Sequence, residues 1–311
     1  MVKKARNNVR LSGLLYDAKL EKKVTGPNSK SPGTEYITGK ISIAVDDALT
    51  NIVDVRYPYV VPTTVKDGVS NPNPVYGILD KIMEGVLKSV MSDGIEEAAK
   101  LRADTSLALN EFYSDRSGQK QLVSTMLNEG GYLRLVNNLS DELDDRNLID
   151  VDMAITSVRT VEKDDNEKII LGGYIFNFRN AALPVEFSVT NERAKDYFST
   201  IDASKNNPMY INLRGRVVNE TITKVITEEG AFEDCVKEVK SHVRDYRIHW
   251  ASKNSYYLGD EEFFTKSEFK DVKANREIYL KDLETRFDNS KKVVATPKTV
   301  VSKPSDDEYD F

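Results

Sequence analysis

Met209-Tyr210-Ile211-Asn212-Leu213-Arg214-Gly215-Arg216-Val217-Val218 alternates apolar with polar residues, which places Ile211, Leu213 and Val217 on one face and Arg214 and Arg216 on the other. Period-two alternation of this kind is a half-buried strand, so both guanidinium groups are expected to project from a sheet. Upstream, residues 151–161 and 168–178 read as strands flanking the turn Lys163-Asp164-Asp165-Asn166-Glu167. A short strand at 184–189 follows, and a helix opens at Asn191 and reaches about Ile201. Downstream, 221–239 reads as a hairpin turning at Glu228-Glu229-Gly230, and a last strand runs over 242–252. Three strands, a helix and two strands is the element order of an OB-fold, and residues 146–255 are expected to form one OB-like domain.

The first half repeats the order with a difference. Val9, Leu11 and Gly13 alternate with Arg10, Ser12 and Leu14 in a long strand with a central glycine that continues to Leu20. The turn-rich loop from Glu21 to Gly33 leads into a second strand, 36–45, and a third, 52–61, carries Val53, Val55, Tyr57, Tyr59 and Val61 on one face. Asp67-Gly68-Val69-Ser70-Asn71-Pro72-Asn73-Pro74 breaks the pattern, after which Ile78, Ile82, Val86 and Val90 recur at helical spacing. Further helices are expected over 96–112 and 118–128, the latter stopped by Gly130-Gly131, so residues 1–145 read as an OB-like domain with a helical insertion at about 75–130. The acidic run 141–145 is the expected boundary. Residues 260–288 carry an apolar stripe that includes Phe264, Phe269, Val272 and Phe287 and read as a C-terminal helix.

Composition narrows the function classes. A single cysteine, Cys235, excludes an internal disulfide, and with only His242 and His249 beside it there is little material for zinc. Asp46-Asp47 and Asp150-x-Asp152 are the carboxylate pairs that could hold Mg²⁺, but such pairs are frequent at strand ends. The chain has no G-x-x-x-x-G-K-[ST] and no G-x-G-x-x-G, and neither histidine lies near a nucleophile motif, so no enzyme, metal or cofactor is expected. There is no run of about 18 apolar residues and no signal-like start, which predicts a cytoplasmic protein without a membrane partner. The formal net charge is −6, yet residues 1–40 hold nine Lys or Arg against three acids, and residues 75–150 hold eight against fourteen. A basic N-terminal face can attract phosphates while the rest of the chain repels them.

The last seven residues, Ser305-Asp306-Asp307-Glu308-Tyr309-Asp310-Phe311, carry four side-chain carboxylates and end in an aromatic. Lys291, Lys292, Pro297, Lys298, Lys303 and Pro304 precede them as a basic leash, and residues 291–311 have so little to bury that disorder is expected. This layout resembles the tail of phage and bacterial single-stranded DNA-binding proteins, in which OB-type barrels are followed by a linker and an acidic tip ending in Phe. The resemblance covers only the tip and the general layout. It implies a non-enzymatic binder of single-stranded DNA in replication or recombination. Asp306, Asp307, Glu308, Asp310 and Phe311 would then compete with DNA and recruit replication or recombination proteins.

The fold expected is α+β, mostly β: two OB-like antiparallel barrels, a helical insertion, a C-terminal helix and a disordered acidic tail. Candidate contacts to the strand are Arg10, Lys19, Lys22, Lys23, Lys30, Tyr36, Lys40, Arg56, Tyr57 and Tyr59 in the first half. In the second half they are Arg179, Arg214, Arg216, Arg247 and His249. A basic groove with aromatics among the charges is what single strands require. Tyr57 and Tyr59 share a face with Val53 and Val55, so core packing competes with stacking for them, as it does for the ladder Tyr174, Phe176, Phe178. The competing function is a structural or assembly β-protein whose tail only keeps the chain soluble.

Overall fold

The long alternating run at the N-terminus becomes a strand that serves three neighbours. The protein is represented by a computed structural model that describes residues 5–294, except 117, 164–165, 180, 229–231 and 233–234. Its first-half strands are β1 (Asn7–Val24), β2 (Glu35–Ala44), β3 (Ile52–Val60), β4 (Thr63–Lys66), β5 (Val69–Pro72), β6 (Lys100–Ser114) and β7 (Gln121–Leu135). The second half supplies β8 (Asn147–Lys163), β9 (Asn166–Phe176), β10 (Ala182–Val189), β11 (Met209–Glu228), β12 (Cys235–Ala251) and β13 (Tyr256–Tyr257). Helices are few: α1 (Pro74–Met83), α2 (Val90–Asp93), α3 (Leu143–Arg146), α4 (Glu192–Ser199) and α5 (Lys266–Val294). None among the described residues is long and apolar enough to cross a membrane.

Eleven strands join one mixed sheet in the order β13-β11-β12-β10-β9-β8-β1-β2-β3-β7-β6, with β1–β6 and β8–β11 also paired. These extra pairings make two circuits, β1-β2-β3-β7-β6-β1 and β8-β9-β10-β12-β11-β8. Each contains one parallel pair, β3 with β7 and β10 with β12. β1 can pair with β2 from Leu14 onward, with β6 over Val9–Leu14 and with β8 over Asn7–Leu11 because its neighbours approach closely at Gly13. A Cβ there would lie 1.8 Å from the Ala44 carbonyl oxygen, so only glycine fits.

A contiguous core runs through both circuits, from Leu11, Leu15, Ile41 and Val55 in the first to Ile155, Leu171, Phe187 and Ile248 in the second. Each such side chain contributes about 1.5–3 kcal/mol of burial. A second cluster forms where α5 lies on the sheet: Phe264, Phe269 and Val272 pack on Ala154, Phe176, Ala182 and Tyr210. The helix starts with a reciprocal cap, in which the Thr265 hydroxyl accepts from the Glu268 backbone N–H and the Glu268 carboxylate accepts from that of Thr265. Farther along, Arg276 Nη1 and Nη2 donate to Glu111 of β6 at 3.1 and 2.5 Å, and both side chains are buried. Lys120 then donates to Asp288 and pairs with Glu284, so α5 ties the second circuit to the β6–β7 hairpin of the first.

Two expected helices are overturned. Residues 96–112 and 118–128 fall largely in β6 and β7, and the helical insertion is reduced to α1 and α2. The Ala, Leu and Glu content of 96–112 favours helix, but Leu101, Ala103, Thr105 and Leu107 are buried at every second position, and that period decides in favour of a strand. The expected helix near Val75 is present, opened by Asn73, whose side chain accepts from the Val75 N–H, and by Pro74 at its first turn. The C-terminal helix is present as α5. The acidic tip, with Asp306, Asp307, Glu308, Asp310 and Phe311, lies outside the described residues, as does most of the expected leash.

Candidate nucleic-acid interface

Register brings the first-half cations together. Lys19 of β1 faces Lys40 of β2, and Lys40 faces Arg56 of β3, so three cations stand side by side across adjacent strands. Strands are about 4.8 Å apart, and like charges directly opposite one another oppose folding. Compensation is partial. Lys40 Nζ lies 2.6 Å from Asp54, which also accepts from the Ser42 hydroxyl at 2.6 Å, whereas Arg56 donates to the neutral side chain of Asn110, at 2.8 Å.

This row borders a groove of about 470 Å³ lined by Lys19, Glu21, Lys23, Lys40, Asp54 and Arg56, by Asn110, Thr125 and Asn128 of the β6–β7 hairpin, and by Arg244 of β12. The groove therefore lies where the two circuits meet. Arg244 Nη2 donates to the Met126 carbonyl at 2.7 Å, which holds the guanidinium at the edge of the hairpin. Five cations line the groove against two carboxylates. Lys23 is held by Glu21 at 2.8 Å, and this partner lowers the carboxyl's pKa while raising that of the ammonium.

The aromatics divide. Tyr36 and Tyr59 contact each other with ring centroids 4.7 Å apart, and Tyr59 is 49% exposed, so this pair presents ring surface farther along β2 and β3, where Tyr36 faces Lys23, and outside the lining of the groove. Tyr57 does not. It is 1% exposed, its ring lies where a Cβ on Gly130 would clash, and burial raises its phenol pKa; it belongs to the core and offers no face to a base. The expected ladder also splits, because Phe176 is buried against Phe264 and Tyr174 packs edge-on against Phe269, while Phe178, beyond the end of β9, is 80% exposed with the Arg179 guanidinium 5.2 Å from its ring.

The other expected contacts lie apart from the groove or have acidic partners. Lys22 pairs with Asp80 at 2.6 Å, which raises its pKa, and Lys30 is exposed in the β1–β2 loop. Arg10 faces Asp104 at 3.7 Å and Asp145 at 3.9 Å in a separate cleft. In the second circuit Arg216 and Arg247 are register partners on the outer face, as the alternation predicts. The acidic connection supplies their neighbourhood with charge: Asp144 accepts from Arg216 at 2.8 Å and lies 3.6 Å from His249. Burial, reinforced by Arg216 and opposed by Asp144, lowers the His249 pKa. Arg214 stacks over the Trp250 ring at 4.7 Å.

The carboxylate pairs considered for a metal are engaged by protein donors. Asn212 Nδ2 donates to Asp150 at 2.8 Å and Asp152 at 3.0 Å, Asp46 closes a turn by accepting from Thr50 and Asn51, and Asp47 receives Arg146 at 2.6 Å. Sequence reasoning missed Arg244, Asn110 and Trp250. Arg244 shares strand parity with the buried Tyr246 and Ile248, so alternation assigns it inward. Past the end of the core that side of β12 meets the first circuit.

No curated protein gives a significant match to the chain. Among solved structures, a deletion mutant of the single-stranded DNA binding protein from Thermus aquaticus is similar with a TM-score of 0.44 and 13% identity, over 83% of this chain and 98% of that one. A family model described as YorF matches residues 5–286, and the chain therefore belongs to the YorF family.

Proposed function

We propose that this protein binds single-stranded DNA without catalysis and without sequence preference, in replication or recombination, with the groove between the two circuits as its principal site. The observation that carries the reading is the Lys19–Lys40–Arg56 row, a juxtaposition of like charges that costs stability and that a polyanion would relieve. Arg244 adds a further cation to the groove, and the Tyr36–Tyr59 pair adds ring surface of the kind single strands use. We read residues 1–145 and 146–255 as two OB-like barrels. That reading is supported by the two circuits, in each of which the third and fifth strands pair in parallel and a helix follows the third strand. The acidic tip is proposed to compete for the same cations and to present Phe311 to a partner protein.

The test is titration of a labelled oligo-dT across salt. Each neutralised phosphate contributes about −0.7 to the log–log slope, so three to five contacts give roughly −2 to −4. Absence of binding at about 20 mM salt, where screening is weak, would overturn the proposal and leave a structural β-protein as the better reading.

A further inference from the structure

A second cleft, also of about 470 Å³, opens between α4 and the end of β12. Arg193, Tyr197, His249, Trp250 and Lys253 line it, and no acidic side chain is among its lining residues. Its shape comes from a β-bulge. Arg214 pairs with Trp250 and Gly215 with Ile248, so His249 is the extra residue on β12. The bulge turns two successive side chains, His249 and Trp250, outward, as bulges beside functional sites do. Trp250 remains 43% exposed even with the Arg214 guanidinium over its ring, and Tyr197 is 39% exposed. Arg193 and Lys253 are exposed.

We propose that this cleft is a separate nucleotide site, in which a base stacks on Trp250 beside Tyr197 and the adjoining phosphate is held by Arg193 or Lys253. The ligand class follows from the residues: an exposed indole polarised by a cation suits a flat π-system, and cations without lining acids suit an anion attached to it. Alternation along β12 puts Arg244 of the first groove and His249 of this cleft on opposite faces of the strand. The two sites are thus separate contacts. The occupant favoured is a nucleotide of the same single strand after it leaves the first groove, which rests on the function proposed above; a free nucleotide offers the same chemistry.

Trp250 is the only tryptophan of the chain, so its emission reports this cleft alone. Labelled oligo-dT is titrated with anisotropy and tryptophan emission read together, and thymidine monophosphate is titrated separately. The expected result is quenching that saturates with strand binding. Trp250→Ala should weaken a long oligo by roughly 5- to 150-fold, the equivalent of stacking one base, and Trp250→Phe should retain most of the affinity. Arg193→Ala with Lys253→Ala should make the salt slope less negative by about 0.7 for each phosphate released. Strand binding with unchanged emission, and with unchanged affinity for Trp250→Ala and for Arg193→Ala with Lys253→Ala, overturns the cleft and leaves the groove intact. Quenching by the monophosphate without strand binding retains the cleft and overturns the function proposed above. A change of emission on deleting residues 305–311 in the absence of nucleotide would assign the cleft to the acidic tip and overturn the proposal.

Discussion

Replacing Lys19 by threonine should move stability and binding in opposite directions. Lys19 is exposed on β1 opposite Lys40, and the acid nearest the row, Asp54, is engaged by Lys40 at 2.6 Å. Two unit charges about 6 Å apart in water repel by roughly 0.7 kcal/mol, and cross-strand pairs of like charge fall in the range of about 0.2–1 kcal/mol. Threonine suits an exposed strand position, so Lys19→Thr should stabilise the protein by about that amount at low salt and by less as salt screens the repulsion. The same change removes a phosphate contact and should make the salt slope for oligo-dT less negative by about 0.7. Lys40→Thr is the control: it also relieves the row but releases Asp54, so it should weaken binding without the gain in stability. Urea unfolding at two salt concentrations and the oligonucleotide titration check both halves. If Lys19→Thr is destabilising, or folds normally with an unchanged slope, the row is a solvated surface and the reasoning fails.

Arg276→Met should cost about 3–5 kcal/mol, because it strands the buried Glu111 carboxylate, whereas Glu111→Leu with Arg276→Met should recover most of the loss; equal urea midpoints for the single and double variants would show the pair to be uncoupled. His249 has a pKa below its ordinary value of 6.5, so the unfolded chain binds the extra proton first as pH falls through that value. Stability should therefore decline below about pH 6.5, and His249→Gln should flatten that limb in a pH series of thermal unfolding. Deleting residues 305–311 should tighten oligo-dT binding, most at low salt, since it removes four side-chain carboxylates that are proposed to compete for the same cations; unchanged affinity would make the tip a solubiliser. Phe311→Ala, which keeps the charge, should leave that affinity unchanged.

Alternation made most of the β-structure legible. Residues such as Ile211, Leu213, Val53 and Val55 declare their faces by period, but the expected hairpin over 221–239 and last strand over 242–252 are not separate elements, because β11 and β12 each run on without a break. The middle was misread because Leu101, Ala103, Leu107, Ala108, Leu109 and Glu111 carry helical propensity that tertiary pairing overrides once β6 finds both β1 and β7. The row of cations was only half legible. Each of Lys19, Lys40 and Arg56 could be named as polar and outward, but their adjacency is a property of register, which no single strand encodes. Tyr57 shows the reverse limit, since its face includes both the buried Val55 and the exposed Tyr59, and only the close approach at Gly130 decides its side.

The two parallel ladders set an order of assembly. β3 meets β7 through only Val55–Asn128 and Arg56–Glu129, and β10 meets β12 through only Ser188–Arg247 and Val189–Ile248. Both join segments far apart in the chain, whereas β6–β7 and β11–β12 are hairpins with long ladders between neighbouring segments. Loop-closure entropy therefore makes the hairpins early events and the parallel seams late ones, and the seams are where unfolding should begin. Arg56 lies on the first seam and Arg247 on the second. A polyanion bridging Arg56 to Arg244, which is itself bonded to β7, spans the first seam from outside. It is expected to slow unfolding more than its equilibrium affinity alone would suggest, giving kinetic protection to a protein whose circuits otherwise close on two residue pairs each.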